Sequence, residues 1–263
     1  MPGIHKIVLI GAGNLATSLA LELVRKGYRV LQVVNRTPDN GKRLAKRAGA
    51  VYEGDPSKMV RNADLYILAV RDDAMEQLLR RIHPVKRLLI HMSGSKEAAV
   101  LGRAGDRTGV IYPVQTFSKD HPVRFRHIPL CVQAKNRKDE KLLLAFASTL
   151  SEKVIAVTEK QRNLVHLAAV FANNFPNFMV VVARSLLEEQ GIRPGILNPL
   201  IRRTSRNALQ DDPAGFQTGP AIRGDRKILE KHLHLLDKKK EFRKIYQLLS
   251  EGITKYYKND DKL

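Results

Sequence analysis

The sequence predicts an α/β protein, with a doubly wound, mainly parallel sheet in residues 1–157 and an all-helical domain in residues 158–263. Three observations carry this. Short, β-rich apolar runs alternate with helical patterns through the first half, as βαβ units require. A glycine-rich turn joins the first apolar run directly to the first helical pattern. Strand signals stop after Val157, where Thr158-Glu159-Lys160-Gln161 reads as a capping box that opens a helix.

The expected strands cover residues 6–10, 30–34, 64–70, 88–91, 109–113, 128–133 and 153–157. Residues 7–10 and 67–70 are apolar throughout, which suits strands buried on both faces. Between the first two lies a helix over 15–26, with Leu15, Leu19, Leu23 and Val24 at helical spacing and Gly27 as its stop. After Thr158 an apolar-periodic segment runs to Gln190 and is closed by Gly191. Pro176 inside it predicts a kink, because it removes a helical hydrogen bond and clashes with the preceding turn. Further helices are expected over 194–209, 225–236 and 238–250, with Asp225 as an N-cap. Residues 210–224 read as a loop, and the polar tail after Ile253 as frayed.

With 263 residues, 43% of them hydrophobic and 27% charged, the chain is long enough for one large or two modest globular domains. Its one cysteine, Cys131, excludes an intramolecular disulfide and a cysteine zinc site, and no metal site is expected. No run reads as the roughly 18 apolar residues that span a bilayer, and no signal peptide is recognisable, so a cytoplasmic location is expected. The formal charge of +20 raises the question of nucleic acid. No helix-turn-helix, RNP motif or zinc finger accompanies it, and aromatics are only 6%, so stacking platforms are few. The excess is spread over both halves. Runs such as Arg80-Arg81 read as solvated faces.

The strongest chemical signal is Gly11-Ala12-Gly13-Asn14-Leu15-Ala16, a G-x-G-x-x-A motif between strand and helix. Gly11 permits the tight turn, Gly13 lets backbone approach a pyrophosphate, and Ala16 allows close helix–strand packing. The amides of Asn14 and Leu15 stand at the helix N-terminus, where an anion is favoured. The alternative is a tight turn without a ligand. Sites for NAD place Asp or Glu roughly 20 residues further on. Here Asn35-Arg36-Thr37 follows the second strand instead. No carboxylate is present to repel a 2′-phosphate. Arg36 could pair with that phosphate and Thr37 could donate to it, which favours NADP; the alternative for Arg36 is a surface turn.

Val70, Asp72 and Ser93 lie at carboxyl ends of strands, where open α/β sheets form their ligand crevice. Asp72 is equally suited to cap the following helix. His91 is either a proton donor or a satisfied structural histidine. On the long helix, His166, Asn173 and Asn174 fall near one face of an otherwise apolar stretch. Polar groups on a buried helix need partners or a ligand, so this face is either a ligand site or an interhelical contact. In Thr218-Gly219-Pro220-Ala221-Ile222-Arg223-Gly224-Asp225, Arg223 offers a bidentate grip for an anion, and the alternative is a structural loop.

Taken together, IGAGNLA (10–16), NRT (35–37), AVRDD (69–73), HMSGS (91–95), YPVQTF (112–117), HLAAVFANNF (166–175), TGPAIRGD (218–225) and the following His232-Leu233 resemble the Rossmann-like oxidoreductases that carry a C-terminal helical domain of unknown function. These are relatives of pyrroline-5-carboxylate reductase, ketopantoate reductase and 6-phosphogluconate dehydrogenase. The resemblance implies an NADP-binding first domain and a second domain like the C-terminal domain of 6-phosphogluconate dehydrogenase. It also implies a homodimer through those helices and an active cleft between domains. Two departures stand out. Tyr112 occupies the place of a His-Pro pair, which argues against a catalytic role there. No lysine lies on the His166 face, so the hydroxyacid-dehydrogenase reaction is not carried over. The expectation is an NADP(H)-dependent reductase of a small carbonyl or imine, with His166 as proton donor, Asn174 orienting the substrate and Arg223 holding an anionic group. A non-catalytic NADP-binding sensor or regulator is the alternative.

Overall fold

A computed structural model of the protein describes residues 3–259. Eight strands form one sheet: β1 (Lys6–Ile10), β2 (Arg29–Val34), β3 (Val51–Glu53), β4 (Leu65–Leu68), β5 (Leu88–His91), β6 (Thr108–Pro113), β7 (Leu130–Ala134) and β8 (Val154–Ala156). Their order is β3-β2-β1-β4-β5-β6-β7-β8. All neighbours pair in parallel except β6 and β7. The order reverses at β1, between the crossovers to β2 and to β4, and such a switch point opens a crevice at the strand carboxyl ends.

Within this unit α1 (Asn14–Arg25) follows β1, α2 (Pro38–Ala48) follows β2, α3 (Asp72–Leu79) follows β4 and α4 (Arg137–Leu150) follows β7. Successive side chains of the central strands enter two different cores. Ile7, Leu9, Leu65 and Ile67 join one cluster with Leu19 and Leu23 of α1. Val8, Ile10, Tyr66 and Leu68 join the other with Met75 and Leu79 of α3. This two-sided burial is why these strands are apolar throughout, without alternation.

Sequence pattern did not reveal β3, whose three residues are too few to establish a period and whose Val51 is exposed. The expected strand over 64–70 is shorter, because the chain turns away after Leu68 to enter α3.

The described residues form two compact units, divided in sequence between Asn173 and Asn174. The capping box forms as expected, with Thr158 and Gln161 each bonded to the other's backbone. The helix it opens, α5 (Glu159–Ala169), belongs to the first unit because Arg162 is fully buried there and donates to the Ser93 carbonyl at 2.8 Å. Next comes a π-turn over Val170–Asn174 and then α6 (Phe175–Glu188), with Pro176 in its first turn. The wider π-turn absorbs the hydrogen bond that Pro176 cannot make, which accounts for the expected break.

Two expectations about this segment are corrected. Over Glu159–Glu188 the helix is long and apolar enough to cross a membrane by length and composition. No charged residue falls between Arg162 and Arg184; the scattered His and Asn residues hid this in the sequence. Nor is its apolar surface buried as expected: among the described residues, Leu164, Leu167 and Phe171 are more than half exposed.

The second unit adds α7 (Asn198–Asn207), α8 (Pro220–Arg223), α9 (Arg226–Leu235) and α10 (Lys240–Asn259). The segment expected as a frayed tail is helical to Asn259, since Tyr257 donates to the Ala214 carbonyl at 3.0 Å and Thr254 to that of Ala221 at 3.0 Å. Residues 210–224 are not all loop, because Pro220–Arg223 makes one helical turn.

Candidate functional site

The glycine turn has two glycines with different reasons. Gly11 adopts φ +115°, and a Cβ there would lie 2.3 Å from the Ala69 carbonyl oxygen. It is glycine because the fold demands it. Gly13 has an ordinary φ of −80° and caps α1; a Cβ there would meet nothing within 4 Å. Neither backbone strain nor packing against the described residues requires Gly13. An open approach to backbone amides is what a pyrophosphate needs, so the residues present fit a dinucleotide. The first turn of α1 carries no acidic residue to oppose an anion. Asn14 is exposed there, Leu15 packs partly against the core, and Ala16 is fully buried.

A cavity of about 210 Å³ adjoins this turn and brings Gly11, Asn35, Arg36, Thr37 and Val70 together. Arg36 is exposed at its edge. Asn35 shapes the turn: its side-chain amide donates to the Thr37 carbonyl at 2.7 Å, and its own carbonyl accepts from Tyr52 at 3.1 Å. Arg81 also lines the cavity and pairs with Asp55 at 3.2 Å. In the sequence Arg81 reads as part of a solvated face; it reaches the site because it lies just past the end of α3, whose Ala74, Gln77 and Leu78 line the same cavity, and only the fold reveals this.

Asp72 and Ser93 meet each other and do not line that cavity. The Asp72 carboxylate accepts from the Ser93 hydroxyl at 2.8 Å and from the Ser95 hydroxyl at 2.6 Å. The Ser93 oxygen also accepts from the amides of Ser95 and Lys96. The loop after β5 is therefore tied to the start of α3. His91 is buried beneath it and accepts from the Ser93 amide through Nδ1 at 3.1 Å. Burial, with the Arg162 charge, pushes its pKa down to about 4. This is a neutral structural histidine at physiological pH, unsuited to giving up a proton.

His166 has a different setting. It is half-buried on α5, with Nδ1 3.2 Å from the Tyr112 hydroxyl at the end of β6. The two rings stand edge to face at 5.7 Å. One helical turn earlier, Arg162 holds the Ser93 carbonyl. Seven residues later, Asn173 donates to the Thr116 hydroxyl at 2.9 Å. One helix face thus contacts the loop after β5 and the loop after β6, and Tyr112, discounted in the sequence, is part of the cluster.

In the second unit, Arg223 ends α8 and is exposed; Gly224 then turns left-handed at φ +68°, and Asp225 caps α9 by accepting from Ile228 at 3.3 Å. His232 and Tyr246 are joined there at 2.7 Å. Among the described residues, no group of three or more His, Cys, Asp or Glu is placed to hold a metal.

The sheet order, the glycine turn and its adjoining cavity define a dinucleotide-binding protein of the Rossmann class. Residues 6–93 match the family model for NADP oxidoreductase, coenzyme F420-dependent, and residues 128–253 match the domain of unknown function DUF2520. A solved structure from Bacteroides fragilis, described as that of a candidate NADP oxidoreductase, is 40% identical and covers 96% of this chain and 98% of its own, with a TM-score of 0.89. The chain belongs to this family of NADP oxidoreductases with a DUF2520 domain, and its cofactor is NADP. Two more distant structures share the fold. An imine reductase from Myxococcus stipitatus in complex with NADP+ has 19% identity, 98% and 94% coverage and a TM-score of 0.64. A 1-pyrroline-5-carboxylate reductase from Streptococcus pyogenes has 13% identity, 95% and 98% coverage and a TM-score of 0.62. A curated relative, glutamyl-tRNA reductase of Caldivirga maquilingensis, is 37% identical over 78 residues, which is 29% of this chain; the match spans 19% of that relative's length.

Proposed function

We propose that this NADP-dependent oxidoreductase is a cytoplasmic, homodimeric reductase of a small carbonyl or imine compound. The carrying observation is Gly13, a helix-capping glycine that no strain and no contact among the described residues requires, beside a cavity edged by Arg36. When bound, NADPH supplies the hydride. The amides at Gly13, Asn14 and Leu15 hold the pyrophosphate. Arg36 and Thr37 take the 2′-phosphate, with Asn35 holding their turn. Gly11 and Val70 wall the cofactor. Asp72 and Ser93 act at one remove, by fixing the loop after β5. His166 gives a proton to the substrate oxygen or nitrogen, Asn174 orients that substrate and Arg223 pairs with an anionic group on it.

The dimer reading rests on exposed apolar surface. Leu164, Leu167, Phe171, Phe178 and Val181 are 64, 52, 62, 45 and 53% exposed along one helical segment. Surface of this kind in a monomer marks an interface, and a second copy of the chain is its simplest cover. The test of function is NADPH oxidation, followed by its absorbance, against a panel of small keto acids, aldehydes and cyclic imines. Turnover that falls by roughly 10²-fold or more in His166→Ala supports the reading, by the usual scale of general acid catalysis. Tight NADPH binding with no turnover on any class would favour the sensor.

A further inference from the structure

The Tyr112–His166 contact lies where three separate pieces of chain converge. Tyr112 is the penultimate residue of β6, His166 projects from α5, and Gly94 belongs to the loop after β5. Gly94 leaves the two rings just enough room. A Cβ built there would fall 2.7 Å from His166 Nδ1, 2.8 Å from its Cγ and 2.9 Å from Tyr112 Cε2. Gly94 does not adopt a positive φ, so contact with these rings, not backbone conformation, is what a side chain there would violate. The loop cannot drift away to relieve the crowding. Asp72 holds it through Ser93 and Ser95, and the buried Arg162 holds the Ser93 carbonyl from the same helix that carries His166.

We propose that Tyr112 is the positioning residue of the proton donor: its hydroxyl donates to His166 Nδ1, fixing the neutral ring with its proton on Nε2. The inference rests on the reading of His166 as the acid. Tyr112 is suited to the task because burial raises its pKa, so that in the resting site the phenol holds the proton it directs at Nδ1. With Nδ1 occupied, the only ring proton His166 can give is on the opposite edge. In the transfer, the His166 Nε2–H bond breaks as an O–H or N–H bond forms on the reduced substrate. The phenol proton passes to Nδ1, and the phenolate left behind takes a proton from water. The strongly basic oxygen or nitrogen left by carbonyl or imine reduction makes this transfer downhill. An aromatic residue in place of a His-Pro pair is therefore a working part of the site. Glycine at position 94 is its steric requirement.

The test is long-range 1H–15N correlation of the full chain labelled at histidine nitrogen, with His166 assigned by its loss in His166→Gln. The wild type is expected to show two well-separated ring-nitrogen shifts above the histidine titration, with the bare nitrogen at Nδ1. Tyr112→Phe, which keeps the ring, should narrow that separation towards the averaged values of an exchanging imidazole. Gly94→Ala should do the same by wedging the rings apart, and it stands in if the phenylalanine variant does not fold. A proton resident on Nδ1 in the wild type, or an unchanged separation in both variants, would overturn the proposal. Where turnover is found, Tyr112→Phe should lower kcat about tenfold, the scale of one net hydrogen bond, with KM within about twofold. The correlations need no substrate, so a failed search for turnover would count against the reductase reading without touching the tautomer result.

Discussion

Exchanging each glycine of the N-terminal turn for alanine separates what the fold needs from what the ligand needs. In Gly11→Ala the new methyl must adopt φ +115° and meet the Ala69 carbonyl oxygen at 2.3 Å. A left-handed non-glycine residue costs about 1–2 kcal/mol. Forcing a methyl into filled space costs about 1–3 kcal/mol more. The sum, about 2–5 kcal/mol, corresponds to roughly 5–15 °C of midpoint for a unit of this size. Gly13→Ala has neither problem, since its φ is −80° and its Cβ meets nothing. It loses a few tenths to about 1 kcal/mol as a poorer N-cap and regains a similar amount from a less flexible unfolded chain. Its stability should stay within about 1 kcal/mol of wild type. Its methyl does enter the space assigned to the pyrophosphate, and the same overpacking scale, about 1–3 kcal/mol, weakens NADPH by roughly 5- to 150-fold. Thermal unfolding without ligand and fluorescence titration with NADPH read the two effects separately. If Gly13→Ala bound NADPH as tightly as wild type, the opening at Gly13 would have no ligand meaning and the argument built on it would fall.

Two further outcomes follow from the structure. The His91 pKa is depressed from 6.5 to about 4, so the unfolded chain binds the extra proton first. The stability this histidine contributes is present above pH 6.5 and is lost as pH falls towards 4, by up to about 3 kcal/mol. His91→Gln should flatten that acid slope in denaturant titrations, and an unchanged slope would show that His91 is not the group responsible. The exposed apolar helix predicts a dimer by sedimentation. Leu164→Lys with Leu167→Lys should yield monomer, and a dimer surviving both would place the interface elsewhere.

The N-terminal half was legible because its physics is local. A buried parallel strand reads as an apolar run, and Gly11 and Ala16 are dictated by a turn and a close packing contact that any sequence in this position would have to satisfy. The cap at Thr158 and the break near Pro176 were legible for the same reason. What pattern missed depends on distance in sequence. Arg81 and Tyr112 join their sites through sheet order, and nothing near them in the chain marks them. Ser93 and Asp72 were correctly drawn to strand ends, yet their side chains are engaged with one another across 21 positions. Helix α5 was expected to be buried because its residues are apolar, but apolarity states only that a surface needs a cover, and Leu164 and Leu167 stay more than half exposed among the described residues.

The most direct test of the central claim compares NADPH with NADH by titration calorimetry, in the wild type and in Arg36→Ala. Arginine paired with a phosphate is a charge-assisted contact worth roughly 1.5–3 kcal/mol. The account predicts that the wild type binds NADPH at least about tenfold more tightly than NADH, and that Arg36→Ala removes most of that difference while leaving NADH affinity nearly unchanged. Equal affinity for the two cofactors in the wild type would contradict it.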